Sequence, residues 1–207
     1  DPQGILNPGK IVSLDEETPL PKMDAGLRFG TEYQTQTWTP VMNFSDQAGL
    51  AGAIEQCNGA GVCRKAEGVM CPSFQVSGEE MHSTRGRANL LRALITGRFP
   101  DPAMGEAAVK DALDLCLACK GCKAECPSAV DMARLKYEYT DHYYQSHRRR
   151  LRDYLFAYID KLAGLGHSLA PLANPFLSSP ALGGLRLAVL GIARERSLPK
   201  MSAVGLQ

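Results

Sequence analysis

The 207-residue sequence lacks a charge excess of either sign: Lys and Arg total 23 against 22 for Asp and Glu, a formal net charge of +1. Nucleic-acid binders carry a basic surplus that neutralises phosphates, so that class has no electrostatic footing here. Residues 1–10 contain no apolar h-region, and no secretory signal is legible there. No P-loop and no dinucleotide-binding glycine fingerprint occurs. Residues 162–185 carry no Asp, Glu, Lys or Arg, but their prolines and glycines make them a poor transmembrane helix. They read as a buried helical return with turns. Strand-type alternation is almost missing too. The expected location is the cytoplasm, with peripheral attachment at a membrane left open.

Cysteine is what the sequence does have, seven of them and unevenly placed. Cys57, Cys63 and Cys71 form one group, and Cys116, Cys119, Cys122 and Cys126 a second. Without an export signal a disulfide framework is not expected, and seven thiols cannot all pair. Ligation is the natural use. The second group, with Pro127 after it, reads C-x2-C-x2-C-x3-C-P, the bacterial ferredoxin run that wraps a compact iron–sulfur cubane. Zinc is the alternative, but it prefers paired C-x2-4-C units set apart in sequence.

In such runs the cysteine before proline serves the other cluster of a two-cluster protein. A second motif ending in Cys-Pro should therefore exist, and Cys71-Pro72 meets that requirement. Exchange of the two Cys-Pro ligands groups Cys116, Cys119, Cys122 and Cys71 around a [4Fe–4S] cluster. Cys57, Cys63 and Cys126 remain, three thiolates for a [3Fe–4S] cluster or for a [4Fe–4S] cluster with a non-cysteine fourth ligand. Cys57 and Cys63 could also be ordinary buried thiols.

Residues 1–44, rich in Pro, Gly and Thr, read as an irregular connector, with a short extended stretch over 30–38. Helical periodicity begins at Ser45, an expected N-cap for a helix to Gln56. Ala88, Leu91 and Ile95 make one stripe; Val109, Ala112, Leu113 and Cys116 make another. Ser128 is the expected cap of the next helix. A fifth helix, about 149–163, would turn Leu151, Tyr154, Leu155, Tyr158 and Leu162 inward. Gly164, Gly166, Pro171, Pro175 and Pro180 would then break the chain before a last helix near 182–194. The expected fold is mainly α: a helical two-cluster ferredoxin-like domain over 45–147, with a helical extension over 148–207.

Several segments resemble a known family. Asp1-Pro-Gln-Gly-Ile-Leu-Asn-Pro-Gly-Lys-Ile11 is similar to the closing segment of FAD-linked oxidases of the D-lactate, glycolate and D-2-hydroxyglutarate dehydrogenase type. Glu55-Gln-Cys57-Asn-Gly-Ala-Gly-Val-Cys63-Arg, Gly68-Val-Met-Cys71-Pro-Ser and His82-Ser-Thr-Arg-Gly-Arg-Ala-Asn89 resemble the iron–sulfur segment fused behind that flavin domain. The ligand exchange is similar to that of the helical ferredoxin domain in the succinate dehydrogenase iron–sulfur subunit. There the motif order is reversed and the gap before Cys-Pro is shorter.

The resemblance implies an FAD-bearing domain before this segment and a cysteine-rich domain after it, with Asp1 as a cut just inside the flavin domain's tail. A flavin takes two electrons as a hydride and clusters pass one at a time, so the implied role is to split the pair and relay single electrons to an unspecified acceptor. No substrate chemistry is expected from this chain alone. A metal-stapled helical adaptor, docking a flavin domain to a partner, is the alternative.

Three other features are open at this level. Gly59, Gly61 and Gly121 either bring backbone N–H groups to cluster sulfides or simply make turns. His82, Arg85 and Arg87 either offset cluster charge, fix the flavin-domain interface, or form a solvated helix start. The run of His147, Arg148, Arg149, Arg150 and Arg152 is a solvated face, or a contact for acidic lipid or an acidic partner.

Overall fold

The computed structural model describes residues 9, 20, 22, 29, 30, 32–193, 195, 196 and 198–202. The resemblance to a flavin-domain tail over residues 1–11 thus lies outside the described residues, Gly9 excepted. Among the described residues there are helices and short 3-10 turns and no strand. The chain divides into two compact units, Asp1–Asp141 and His142–Gln207.

The first unit holds five whole helices, α1 Gly49–Glu55, α2 Pro72–Ser77, α3 Thr84–Ile95, α4 Pro102–Asp114 and α5 Gly121–Glu125, and the part of α6 Met132–Ser146 that reaches Asp141. Helix α3 is the centre, packing on α1 and α4. Its start is set locally. Ser83 is extended (φ −87, ψ 162) and its hydroxyl accepts the Gly86 N–H at 3.0 Å, an N-cap whose loss typically costs about 1 kcal/mol. A side chain at Gly86 would meet the Glu80 carbonyl at 1.9 Å, so the turn before the helix lies against its first residues.

The stripe of Ala88, Leu91 and Ile95 is buried, as the spacing requires, and faces Val109, Ala112 and Leu113, the buried positions of α4. Burying a Leu or Ile side chain is worth roughly 1.5–3 kcal/mol, so this seam holds the unit together. Asp101 caps α4 by accepting the Ala103 N–H at 2.9 Å, with Pro102 in the first turn, where no N–H is needed.

Four details depart from the sequence reading. Residues 45–47 form a 3-10 turn and Ala48 is left-handed (φ 57) before α1, so Ser45 caps no α-helix; its own N–H is taken by Asn43 Oδ1 at 2.9 Å. The cap of α6 is Asp131, which accepts the Arg134 N–H at 3.1 Å, and not Ser128. The extended stretch over 30–38 is irregular where described. It is tied down instead by the Gln36 N–H on the Ile95 carbonyl at 2.7 Å and the Tyr33 hydroxyl on Glu55.

The fourth departure lies in the second unit, which holds α7 Leu151–Ala157, α8 Ile159–Ser178 and α9 Gly183–Leu190. Leu151, Tyr154 and Tyr158 are about half exposed and do not face a core. Pro171 and Pro175 lie inside α8 and do not break it. Proline's fixed φ is itself helical, so an interior proline costs roughly 3 kcal/mol, through a lost hydrogen bond and a ring clash, without forcing the chain out of helix. Among the described residues no helix is long and apolar enough to cross a membrane.

Candidate functional site

Two pockets in the first unit sort the seven cysteines. The first, about 320 Å³ with its open mouth, is lined by Cys71, Cys116, Cys119 and Cys122, together with Thr84 and Arg87. The second, about 260 Å³ and likewise counted with its open mouth, is lined by Cys57, Cys63 and Cys126, together with Thr84 and Arg85. The division is four and three. Each pocket draws on both motifs: Cys71 reaches across to the second motif's thiols, and Cys126 to the first motif's. Cys119 is exposed, Cys116 and Cys126 are half-buried, and the other four are buried.

The geometry follows from the helices that carry the thiols. Cys116 lies just beyond α4, its N–H bonded to the Leu113 carbonyl at 3.0 Å, so the buried stripe of that helix fixes where the run begins. Left-handed Ala118 (φ 52) and Lys120 (φ 60) curl the following residues into a tight coil before α5. Cys122 lies on α5, and the Cys126 N–H returns to the Cys122 carbonyl at 2.9 Å. Cys71 is itself left-handed (φ 52), the N-cap of α2 ahead of Pro72.

The first turn of α3 lies between the pockets. The Thr84 N–H donates to Cys71 Sγ at 3.1 Å, and the Thr84 hydroxyl shares a hydrogen bond with the same sulfur at 2.9 Å. The next amide, Arg85 N–H, donates to Cys63 Sγ at 3.3 Å. Consecutive amides at a helix N-terminus thus point at one sulfur of each pocket, where both the donors and the helix dipole favour a thiolate. A hydrogen bond from the Cys71 thiol, helped by the Arg85 amide, holds the Cys63 thiol down at about 6 despite burial. That bond, with burial second, pushes the Cys71 thiol up. Burial also raises Cys122.

Polar links hold the two motifs together. Glu125, the residue before Cys126, accepts the Val69 N–H at 2.9 Å and pairs with Lys65 at 2.7 Å. The Lys65 hydrogen bond keeps its carboxyl below the ordinary range. Gly68 lies under this clamp at φ +85, where an added Cβ would meet Glu125 Oε2 at 2.8 Å. Lys136 donates to the Cys116 carbonyl at 2.6 Å, and burial lowers its ammonium.

The glycines separate by role. Gly59 and Gly61 have left-handed backbones (φ 81 and 78) in the coil between Cys57 and Cys63, and Gly61 lines the second pocket. Gly121 is needed for a different close approach from the one its sequence context suggested: a Cβ there would come within 2.9 Å of the Val69 carbonyl. His82 is buried, its Nδ1 hydrogen-bonded with Ser77 Oγ at 2.7 Å, and Arg87 is buried too, so neither is a solvated helix start. Arg148, Arg149, Arg150 and Arg152 are exposed. Thr84, whose backbone and hydroxyl both serve Cys71, carried no sequence signal beyond following a good N-cap residue.

A helical unit with cysteines gathered four and three around paired pockets is the arrangement of a two-cluster iron–sulfur domain. The family profile described as 4Fe-4S dicluster domain matches residues 53–130. The whole chain is similar to D-2-hydroxyglutarate dehydrogenase of Escherichia coli (strain K12), at 29% identity over 244 residues, covering 100% of this chain and 23% of that protein. It is also similar to D-2-hydroxyglutarate dehydrogenase of Pantoea ananatis, at 29% identity, covering 87% of this chain and 20% of the relative. The probable glycolate oxidase iron-sulfur subunit of Bacillus subtilis is 33% identical over 136 residues, covering 65% of this chain and 28% of the relative. The chain spans about a quarter of the length of these curated relatives. No solved structure matches it significantly.

Proposed function

We propose that this chain is an electron-transfer segment of a 2-hydroxyacid-type dehydrogenase, relaying single electrons from a reduced flavin on an adjoining domain. One [4Fe–4S] cluster would be held by Cys71, Cys116, Cys119 and Cys122. The other, [3Fe–4S] or [4Fe–4S], would be held by Cys57, Cys63 and Cys126. The observation that carries the reading is the crossed division of the thiols between two pockets. The donor chemistry fits as well: thiolate-favouring amides reach one sulfur of each pocket.

When bound, such clusters supply one-electron redox steps, which a flavin's two-electron chemistry needs on its way to a one-electron acceptor. The protein's share is to fix the thiols, exclude water from the buried ones and set the charge around them. Within this reading residues 1–44 connect to a preceding flavin domain that carries FAD. Residues 45–147 are the iron–sulfur domain. Residues 148–207 lead toward a following cysteine-rich domain, and the electron acceptor is a separate partner.

The adaptor alternative, stapled by zinc, has less support. Zinc would draw four ligands to about 2 Å from one ion. The C-x2-C-x2-C-x3-C-P run puts four cysteines within eleven residues and closes on proline, where zinc prefers paired C-x2-4-C units set apart in sequence.

The test is anaerobic purification with iron and acid-labile sulfide analysis, followed by EPR of Cys71→Ala and Cys126→Ala. The crossed assignment expects Cys71→Ala to lose the signal of the cluster fed by the second motif, and Cys126→Ala to lose the other. Near-stoichiometric zinc without sulfide would sink the reading. An oxidised [3Fe–4S] centre is paramagnetic and an oxidised [4Fe–4S]2+ centre is silent, so the same spectra settle the second cluster's type.

A further inference from the structure

Arg87 is 2% exposed, on the second turn of α3, and lines the first pocket. Each of its three guanidinium nitrogens donates a hydrogen bond, in every case to a neutral acceptor. Nε donates to the Ala112 carbonyl at 2.8 Å, Nη1 to the His82 carbonyl at 2.6 Å and Nη2 to Ser73 Oγ at 2.8 Å. Among the described residues it forms no ion pair.

Two other buried charges of this unit have a counter-ion: Arg92 pairs with Glu55 at 2.7 Å and Asp131 with Lys123 at 3.3 Å. Glu138, like Arg87, is met by neutral groups, three N–H donors, but it lines neither pocket. A buried cation without an anion is costly, so a fold that retains one has an anion in view. The fork of hydrogen bonds fixes the guanidinium in place beside the pocket, and Lys136, close to Cys116, adds a second positive charge on the same side.

The second pocket is the internal comparison. Arg85 lines it, but its guanidinium is already matched: Nε and Nη2 donate to Glu80 at 2.7 and 3.0 Å, and Glu80 also pairs with Arg64 at 3.1 Å. One pocket faces a buried cation with no carboxylate on it, and the other faces a cation whose charge is offset by a Glu80 carboxylate shared with Arg64.

We propose that Arg87 is the built-in counter-charge of the first pocket, a positioning residue that raises the reduction potential of the cluster held by Cys71, Cys116, Cys119 and Cys122, while Glu80 withholds the equivalent effect from the second pocket. This rests on the cluster assignment above. Four thiolates outweigh the positive charge of a cubane core, and each added electron makes the site more anionic. A fixed cation therefore stabilises the reduced form more than the oxidised form.

The experiment is a dithionite redox titration followed by EPR on the cluster-loaded full chain, comparing wild type with Arg87→Gln, Arg87→Lys and Glu80→Gln. Arg87→Gln is expected to shift the first cluster's reduction equilibrium at least tenfold toward the oxidised form, about 59 mV for one electron. The second cluster should stay within twofold of wild type. Glu80→Gln, which frees Arg85, should shift the second cluster toward the reduced form and leave the first alone.

A first-cluster shift under twofold in Arg87→Gln overturns the proposal. Should Arg87→Gln fail to hold its first cluster, Arg87→Lys decides: retention of cluster and potential supports a role through charge, and loss of the cluster refutes it. Wild-type chain without iron and sulfide would instead defeat the cluster reading itself, so the two failures are told apart.

Discussion

Glu138 is the buried carboxylate most open to a quantitative test. It is 2% exposed on α6, and its two oxygens take three N–H groups from the connector: Trp38 Nε1 at 3.0 Å and Val41 N at 3.1 Å on Oε1, Met42 N at 3.0 Å on Oε2. Glu138→Gln keeps one carbonyl oxygen for the first two donors but places an NH2 opposite the Met42 amide. One charge-assisted hydrogen bond is lost, worth about 1.5–3 kcal/mol, and the remaining two become neutral bonds of roughly half the strength.

The connector is partly exposed, and water recovers some of this, so a net loss of about 3 kcal/mol is expected. Trp38 is the single tryptophan of the chain, and its emission reports release of the connector directly. Urea titration of wild type and Glu138→Gln, followed by Trp38 fluorescence, should move the midpoint down at unchanged slope. A change below about 1 kcal/mol would show that the connector does not depend on this carboxylate. Val41→Ala is the control: the Val41 side chain is 74% exposed and only its amide is used, so its midpoint should not move.

Other expectations follow from the same geometry. Gly68→Ala should cost about 1 kcal/mol or more of stability, read as a lower urea midpoint, since alanine is strained at φ +85 and would crowd the Glu125 carboxylate; no change would mean the clamp yields freely. Leu91→Ala should cost about 2–5 kcal/mol as a core cavity, read by calorimetry of the loaded chain. Glu80 has its carboxyl held below the ordinary range, first by the Arg85 hydrogen bond. Its contribution is therefore full above the ordinary carboxylate pKa and lost as pH falls through the lowered value. The pair is partly exposed, so Glu80→Gln should destabilise by no more than about 1 kcal/mol at neutral pH. The gap from wild type should close in acid, and a gap that widens there would refute the assignment.

Much of the site was legible because cysteine spacing encodes it. The C-x2-C-x2-C-x3-C-P run and the demand for a partner Cys-Pro group the thiols four and three before any fold is known, and the pockets group them the same way. The stripe of Ala88, Leu91 and Ile95 was legible from its period. Caps were harder. Ser128 and Asp131 are both good caps, and sequence alone does not say which one the Lys123 ion pair and the start of α6 select.

Buried charge was hidden for a general reason: Arg87, Arg92 and Glu138 look like surface residues, since most charges are exposed. Only tertiary partners make their burial affordable, and those partners lie 25, 37 and about 100 positions away. Leu151, Tyr154 and Tyr158 failed the inward reading because helical spacing says which residues share a face, not whether anything covers it.

The single turn of helix between the two pockets has a kinetic consequence. Thr84 lines both, and the sulfurs of Cys71 and Cys63 take hydrogen bonds from neighbouring amides of that turn. Electron tunnelling weakens exponentially with distance, so a partition one residue thick makes hopping between the two sites fast compared with docking, domain motion or bond breaking at either end. On the proposed assignment the pair behaves as one shared reservoir. The turnover of the relay is then governed by how electrons enter and leave it, and not by the passage between its halves.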